Sequence, residues 1–242
     1  MQYFALSASI FDGDKNMNSE NSTISGDFEA LKTRHRELRE NFDESFSIRI
    51  HRALSWLERA EKEVDDADAA FIFYWISFNA NYSIDRASSN RMSEGQQFRD
   101  FFNLVTRLDK SNSLYAIVWE RFAQEIRSLL NNEYIYANFW HISQKGDVHD
   151  WQKGFQETRD IVNRALVAKN TVVILQILFS RLYTLRNQLV HGNATWNGAV
   201  NRQQVNDGYK LISNLQPLFL SIMLDNPDEN WGELAFPIVD MS

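Results

Sequence analysis

The chain has 242 residues, is 44% hydrophobic and carries a formal net charge of −7. Only nine Gly and three Pro occur, which favours long helices over frequent turns, and the absence of Cys excludes disulfides and Cys-ligated zinc. The acidic balance argues against broad, nonspecific binding to nucleic acid, because such binding needs clustered Lys and Arg.

No leader or membrane segment is evident from the sequence. Residues 1–11 lack a basic region and are followed at once by acidic residues. The longest apolar stretches, residues 69–84 and 171–180, are too short or too polar to cross a bilayer. We therefore expect a cytoplasmic protein with no membrane partner.

Hydrophobic periodicity predicts an all-α protein with one main domain. Residues 1–26 are rich in Ser, Asn, Asp and Gly and are predicted to form a flexible arm. Residues 27–225 repeat apolar positions at intervals of three and four, which indicates a single domain of about eight or nine helices. Residues 226–242 are predicted to be an irregular tail.

The predicted helices differ in how much of their surface is apolar. The first is strongly charged and is expected to be a solvated outer helix. The second has one apolar stripe, and the third is apolar nearly all round, which indicates a central position. The stripe consists of Phe46, Ile50, Leu54, Leu57 and Ala60. In chain order, the helices are predicted at 27–41, 44–65, 67–87, from Ser93, from Asn112 or Ser113 to Leu130, and at 134–142, 149–168, 171–191 and 202–224.

The helix predicted at 171–191 carries the residues with the clearest chemistry. Asn170 is a suitable N-cap, and Gly192 is a natural left-handed stop after the last turn. Asn187 and His191 are four residues apart and so lie on one helix face. Arg186 is offset by one residue, but its long side chain can reach the same side. All three residues are expected near the helix end, where a phosphate could approach.

This segment resembles the signature of the HEPN superfamily, in which Arg and usually a polar residue precede a His by four to six positions. The match here is Arg186-Asn187-x-x-x-His191, followed by Gly192. The aromatic-rich helix that contains Asn79 resembles the helix beside the motif in Apea-like members. The resemblance extends over about residues 45–225.

The resemblance implies a HEPN-like up-and-down helical bundle that acts as a homodimer with a shared active-site cleft. Such proteins cut RNA without a metal or cofactor and often serve in toxin–antitoxin or antiphage systems, so an antitoxin or another protein partner is expected. In one branch of the family a Tyr two residues after the His is adenylylated. Asn193 occupies that position here, and we do not expect this form of control.

The chemistry of the motif residues agrees with this activity. His191 can move a proton near neutral pH, and Arg186 offers a planar, permanently charged fork for a phosphate. Asn187 would orient the His or the substrate. RNA supplies its own nucleophile, the 2′-hydroxyl, so the protein needs only to transfer protons and stabilise the pentacoordinate phosphate.

Three further residues are candidates for substrate binding, each with a structural alternative. Arg181 could add a phosphate contact or form a surface salt bridge. Asn79, like Asn81, could line the cleft or bridge helices, because a buried amide needs hydrogen-bond partners. Trp196 could stack on a base or cap the core.

Some further interpretations of the sequence are weaker or remain open. His141 and His149 lie eight residues apart near acidic residues, but this spacing does not suit a metal site, and we predict none. The aromatic stripe Phe71, Trp75, Phe78 and Tyr82 is expected in the core. Two functions besides a ribonuclease stay open: a non-catalytic HEPN-like module that binds a nucleotide or a partner protein, and a structural helical protein in which the motif is accidental.

Overall fold

A computed structural model describes residues 28–84, 93–143 and 150–236, and this part of the chain is helical, as predicted. The predicted arm, residues 1–26, lies outside the described residues. The α-helices are α1 (Phe28–Leu38), α2 (Glu44–Glu61), α3 (Ala67–Tyr82), α4 (Glu94–Leu108), α5 (Ser113–Ala116), α6 (Ala123–Leu130), α7 (Ala137–Ser143), α8 (Asp150–Val167), α9 (Thr171–Val190) and α10 (Arg202–Asp225).

Side-chain caps fix where several helices begin. The Asn170 side chain accepts a hydrogen bond from the Val173 N–H at 3.1 Å, and Ser93 accepts one from the Gln96 N–H at 3.3 Å. The sequence predicts that helices begin at both positions. The caps satisfy N–H groups that the first turn of a helix leaves without a carbonyl partner.

The helix predicted from Asn112 or Ser113 to Leu130 is interrupted, so the described residues contain ten α-helices rather than eight or nine. A π-helical turn at Ile117–Arg121 separates α5 from α6. The helix does begin at Ser113, as predicted, but among the described residues the Asn112 side chain makes no cap hydrogen bond. The Asp109 carboxylate accepts from the Ser113 and Leu114 N–H groups instead, at 3.1 and 2.7 Å.

The centre of the molecule is α3, which packs most closely against α2 and α10, while α4 packs against α9. The predicted core residues Phe71, Trp75, Phe78 and Tyr82 are all buried. The Phe78 ring lies at the middle of an aromatic cluster to which α3, α4, α9 and α10 all contribute. Its ring centroid is 4.5 Å from Phe179, 6.1 Å from Phe102, 6.0 Å from Phe98 and 5.8 Å from Phe219.

α3 ends at Tyr82, several residues before the predicted end at 87. Arg49 of α2 is 1% exposed and donates from one guanidinium nitrogen to the carbonyl oxygens of Ala80, Asn81 and Ser83 at 3.2, 3.1 and 2.9 Å. These are carbonyl groups at the end of α3, where a helix leaves its last acceptors free. The buried guanidinium therefore closes α3 and turns the chain.

α1 is less solvated than the sequence predicts. Its Phe28, Leu31 and His35 side chains are buried, and Arg34 binds Asp225 at the end of α10. The charged residues occupy the other face of the helix. α1 is therefore an amphipathic part of the bundle.

Residues 226–236, which follow α10, form neither a helix nor a regular strand, and they pack against the helices. Trp231 and Leu234 are 8% exposed, and Leu234 forms an isolated antiparallel bridge with Ile84. A second guanidinium nitrogen of Arg49 donates to the Gly232 carbonyl at 2.8 Å. Among the described helices, none has the length and apolar character that crossing a membrane requires.

Candidate functional site

The motif residues lie on the last turns of α9. Arg186 and Asn187 are half-buried, and His191, the residue that ends the helix, is exposed. One Arg186 nitrogen donates to Asn187 Oδ1 at 2.9 Å. Gly192 follows with φ +70°, a left-handed conformation that favours glycine, and turns the chain away from the helix.

The polar groups of the motif remain available for a ligand. Within the described residues, no carboxylate pairs with Arg186 and no side-chain hydrogen bond engages His191. By helix geometry, Asn187 and His191 are offset by about 40° around the axis, whereas Arg186 and His191 are about 140° apart. Asn187 therefore lies between Arg186 and His191 around the helix axis and accepts a hydrogen bond from the Arg186 guanidinium.

The loop after the motif is attached to the beginning of α3. Trp196 Nε1 donates to Asp66 Oδ2 at 2.8 Å, and the Asn197 N–H donates to Asp68 Oδ2 at 3.1 Å. Arg202 donates to both Asp68 oxygens at 3.0 and 2.7 Å. Hydrogen bonds from the first turn of α3, and then from Trp196, lower the pKa of Asp66. Two carboxylates thus fix the loop that leads away from His191.

A cavity of about 570 Å³ lies beside the motif, between α2, α3, α4, α9 and the segment after α10. Arg186 and Asn79 both line it, so two predicted site residues from distant parts of the chain come together there. Asn187 and His191 are not among its lining residues. The cavity therefore adjoins the motif on the Arg186 side.

The cavity has an excess of positive charge. Arg49, Arg52 and Arg186 line it, against one described carboxylate, that of Glu94. Burial is the main cause that lowers the Arg49 pKa, to about 10. Because this guanidinium bonds to backbone carbonyls, it remains charged at neutral pH without an anionic partner.

Tyr82 connects Asn79 of α3 with Glu94 of α4 at the edge of the cavity. Its hydroxyl lies 3.0 Å from Asn79 Oδ1 and 2.5 Å from Glu94 Oε1. Burial, reinforced by the nearby Glu94 charge, raises the Tyr82 pKa, while the positive charge of Arg186 acts in the opposite direction. Tyr82 therefore stays protonated, and Asn79 keeps its amide nitrogen free of described partners.

Arg181 is buried, which contradicts both roles predicted for it. It is 3% exposed, and its guanidinium carbon lies 4.5 Å from the Tyr136 ring and 5.1 Å from the Phe155 ring. Among the described residues, its Nε and one terminal nitrogen have no hydrogen-bond partner, and burial lowers its pKa to about 10. Arg181 is therefore neither a surface salt bridge nor accessible to a substrate phosphate in this structure.

Burial also decides between the roles predicted for Asn81 and for Trp196. Asn81 bridges helices, because its amide nitrogen donates to Gln216 Oε1 at 2.8 Å inside the core. Trp196 is 74% exposed, so it does not cap the core, and its role in base stacking remains a prediction.

No metal site is visible in the part of the chain that the structure describes. The side chain of His141 and all of His149, the two residues weighed as ligands from the sequence, lie outside that part. Among the described residues, no group of three or more potential metal-ligating side chains occurs.

Several residues around the cavity were not predicted from the sequence, among them Arg52, Trp56, Glu94 and Tyr183. Arg52 and Trp56 are on one α2 face, four residues apart, outside the apolar stripe of that helix. An Arg and a Trp on a polar helix face were the available signal. It was weak because exposed residues of both types are common.

Comparison of the chain with protein-family models, with curated proteins and with solved structures finds no significant match. The function is therefore inferred from the residues of the site and their geometry.

Proposed function

We propose that this protein is a metal-independent RNA endonuclease of HEPN type, with Arg186, Asn187 and His191 as its active-site residues. The observation that carries the proposal is the Arg186 guanidinium, which has no described carboxylate partner and is held by Asn187 on the same helix end as an exposed His. Its one hydrogen bond among the described residues is to Asn187, so its other N–H groups can bind phosphate oxygens.

The reaction needs two proton transfers and charge stabilisation. The 2′-hydroxyl oxygen attacks the adjacent phosphorus while a base takes its proton, and the P–O5′ bond breaks as an acid protonates the leaving oxygen. The products are a 2′,3′-cyclic phosphate and a 5′-hydroxyl. Arg186 would bind the phosphate oxygens, and the nitrogen of the Asn187 amide would orient the phosphate or His191.

The motif contains one His, which supplies only one of the two proton-transfer groups. We therefore propose a homodimer in which two motifs face a common cleft and His191 of each copy takes one role. This arrangement also suits the offset of about 140° between Arg186 and His191, because the Arg of one copy and the His of the other can approach one phosphate from different sides. A role as a toxin or antiphage component, restrained by a protein partner, is part of the same proposal.

The test is cleavage of single-stranded RNA in EDTA by the wild type, His191→Ala and Arg186→Ala. We expect each substitution to lower the rate by about 10²-fold or more, the usual contribution of a positioned acid, base or charge. His51→Ala and Arg127→Ala are matched controls, because both side chains are exposed and lie outside the motif and the cavity. They should cleave at the wild-type rate.

Mapping of the product ends completes the experiment. Cyclic-phosphate and 5′-hydroxyl ends from the wild type, lost in both motif variants, would support the proposal. Equal activity or equal inactivity of wild type and motif variants would refute it, and a non-catalytic binding module would then be the better interpretation.

A further inference from the structure

The cavity beside Arg186 has the composition of a ligand site, although it contains only one residue of the three-residue motif. Its volume of about 570 Å³ falls in the range of about 300–1,000 Å³ that small-molecule sites occupy. Its lining combines guanidinium groups, amides and aromatic rings. From this combination we infer that the cavity binds one nucleotide unit, with its phosphate at Arg186 and Arg52 and its base among the aromatic side chains.

The charged side chains that line the cavity indicate where the phosphate of the nucleotide would bind. Three guanidinium groups and one described carboxylate line the cavity, in a protein with a net charge of −7. Arg52 uses one nitrogen to reach the Phe236 carbonyl at 2.7 Å, and within the described residues it forms no ion pair. Guanidinium forks match phosphate oxygens in a bidentate geometry, so a phosphate between Arg52 and Arg186 would neutralise this excess charge.

The aromatic side chains that line the cavity indicate where the base of the nucleotide would bind. Trp56 remains 38% exposed although its ring stacks on Phe73 at 5.7 Å, and Tyr183, which also lines the cavity, is half-buried. Unpaired bases are commonly recognised by stacking on such rings, with polar groups reading their edges. The Asn79 amide nitrogen and the Gln97 side chain supply those polar groups.

The nucleotide unit could belong to an RNA strand or be a free nucleotide. In the first case the cavity would be a subsite next to the scissile phosphate, and that case rests on the proposed function. In the second case the nucleotide would compete with RNA for Arg186. Both sources share the same chemistry, and their relative affinities distinguish them.

The experiment is calorimetric titration of the full chain with AMP, UMP, uridine, inorganic phosphate and a single-stranded 2′-O-methyl RNA, which lacks the nucleophile. We expect AMP or UMP to bind at least tenfold more tightly than uridine or phosphate alone. Arg52→Gln should weaken the mononucleotide about tenfold, and Trp56→Ala about 5- to 100-fold. Arg127→Gln, an exposed Arg on α6 outside the cavity, is the control and should bind like the wild type.

The results separate this inference from the proposed function. His191→Ala should keep nucleotide binding even if it abolishes cleavage, because His191 does not line the cavity. Tighter binding of the oligonucleotide than of AMP or UMP indicates the RNA subsite, and the reverse indicates a free nucleotide. Absence of saturable mononucleotide binding, or equal affinities in Arg52→Gln, Trp56→Ala and the control, overturns the inference even if RNA cleavage is observed. Nucleotide binding without RNA cleavage would uphold the site and refute the ribonuclease.

Discussion

Replacement of Arg49 by Met should test how much one buried guanidinium contributes to the fold. Arg49 makes four hydrogen bonds to carbonyl oxygens, three at the end of α3 and one to Gly232. At about 1.5 kcal/mol for each bond to a charged donor, these contribute about 6 kcal/mol. Burial lowers the Arg49 pKa only to about 10, so the guanidinium keeps its charge and these hydrogen bonds at neutral pH.

Loss of these hydrogen bonds, partly offset by the apolar packing of the Met side chain, predicts that Arg49→Met lowers the free energy of unfolding by about 3 kcal/mol. For a protein of this size the midpoint of thermal unfolding should fall by about 6–12 °C. Urea unfolding followed by circular dichroism measures the loss. Arg52→Ala is the control: it removes one exposed hydrogen bond to the Phe236 carbonyl and should cost at most about 1 kcal/mol. A stability of Arg49→Met equal to that of the control would refute the reasoning.

Two further predictions concern the core and the pH dependence of stability. Phe78→Ala should lower the free energy of unfolding by about 3–5 kcal/mol in urea, because it empties the centre of the aromatic cluster; a loss below about 1 kcal/mol would contradict that central position. Burial, followed by the charges of His51 and Arg39, lowers the pKa of His35 in the folded protein below its ordinary value of 6.5. At a pH between the lowered pKa and 6.5, the unfolded chain therefore binds a proton at His35 that the folded chain does not bind. The free energy of unfolding should therefore fall as the pH is lowered from 7 through 6.5. The urea midpoint of His35→Phe should depend less on pH than that of the wild type. An equal dependence of the midpoint on pH in both proteins would exclude His35 as the cause.

Helix positions were largely predictable because their signals are local. Asn170 and Gly192 bracket α9 within the sequence itself, and Ser93 marks the beginning of α4. The end of α3 was not predictable in this way, because Arg49, which closes the helix, is 31 to 34 residues away from the carbonyl groups it binds. The sequence pattern of α3 stays favourable for a helix beyond Tyr82, and a tertiary contact ends it.

The site was predictable only in part, for a related reason. Arg186, Asn187 and His191 form one short local pattern, so their place at the end of α9 followed from helix periodicity. The cavity joins residues from four helices and from the segment after α10, and no local pattern links Arg52 with Arg186. Arg181 shows the opposite difficulty, because its charge suggested the surface whereas aromatic rings enclose it.

The residues that line the cavity are far apart in the sequence, from Arg49 to Phe236, and this separation affects the order of folding. The hydrogen bond between Arg49 and Gly232 closes a loop of 183 residues, and the entropic cost of closure grows with that separation. Helix α9 and its cap form from neighbouring residues, whereas Leu234 and Phe236 reach the cavity only after most of the polypeptide has been synthesised. A folding intermediate with its helices packed would therefore expose the motif before it possessed the complete cavity, and ligand affinity would be acquired last.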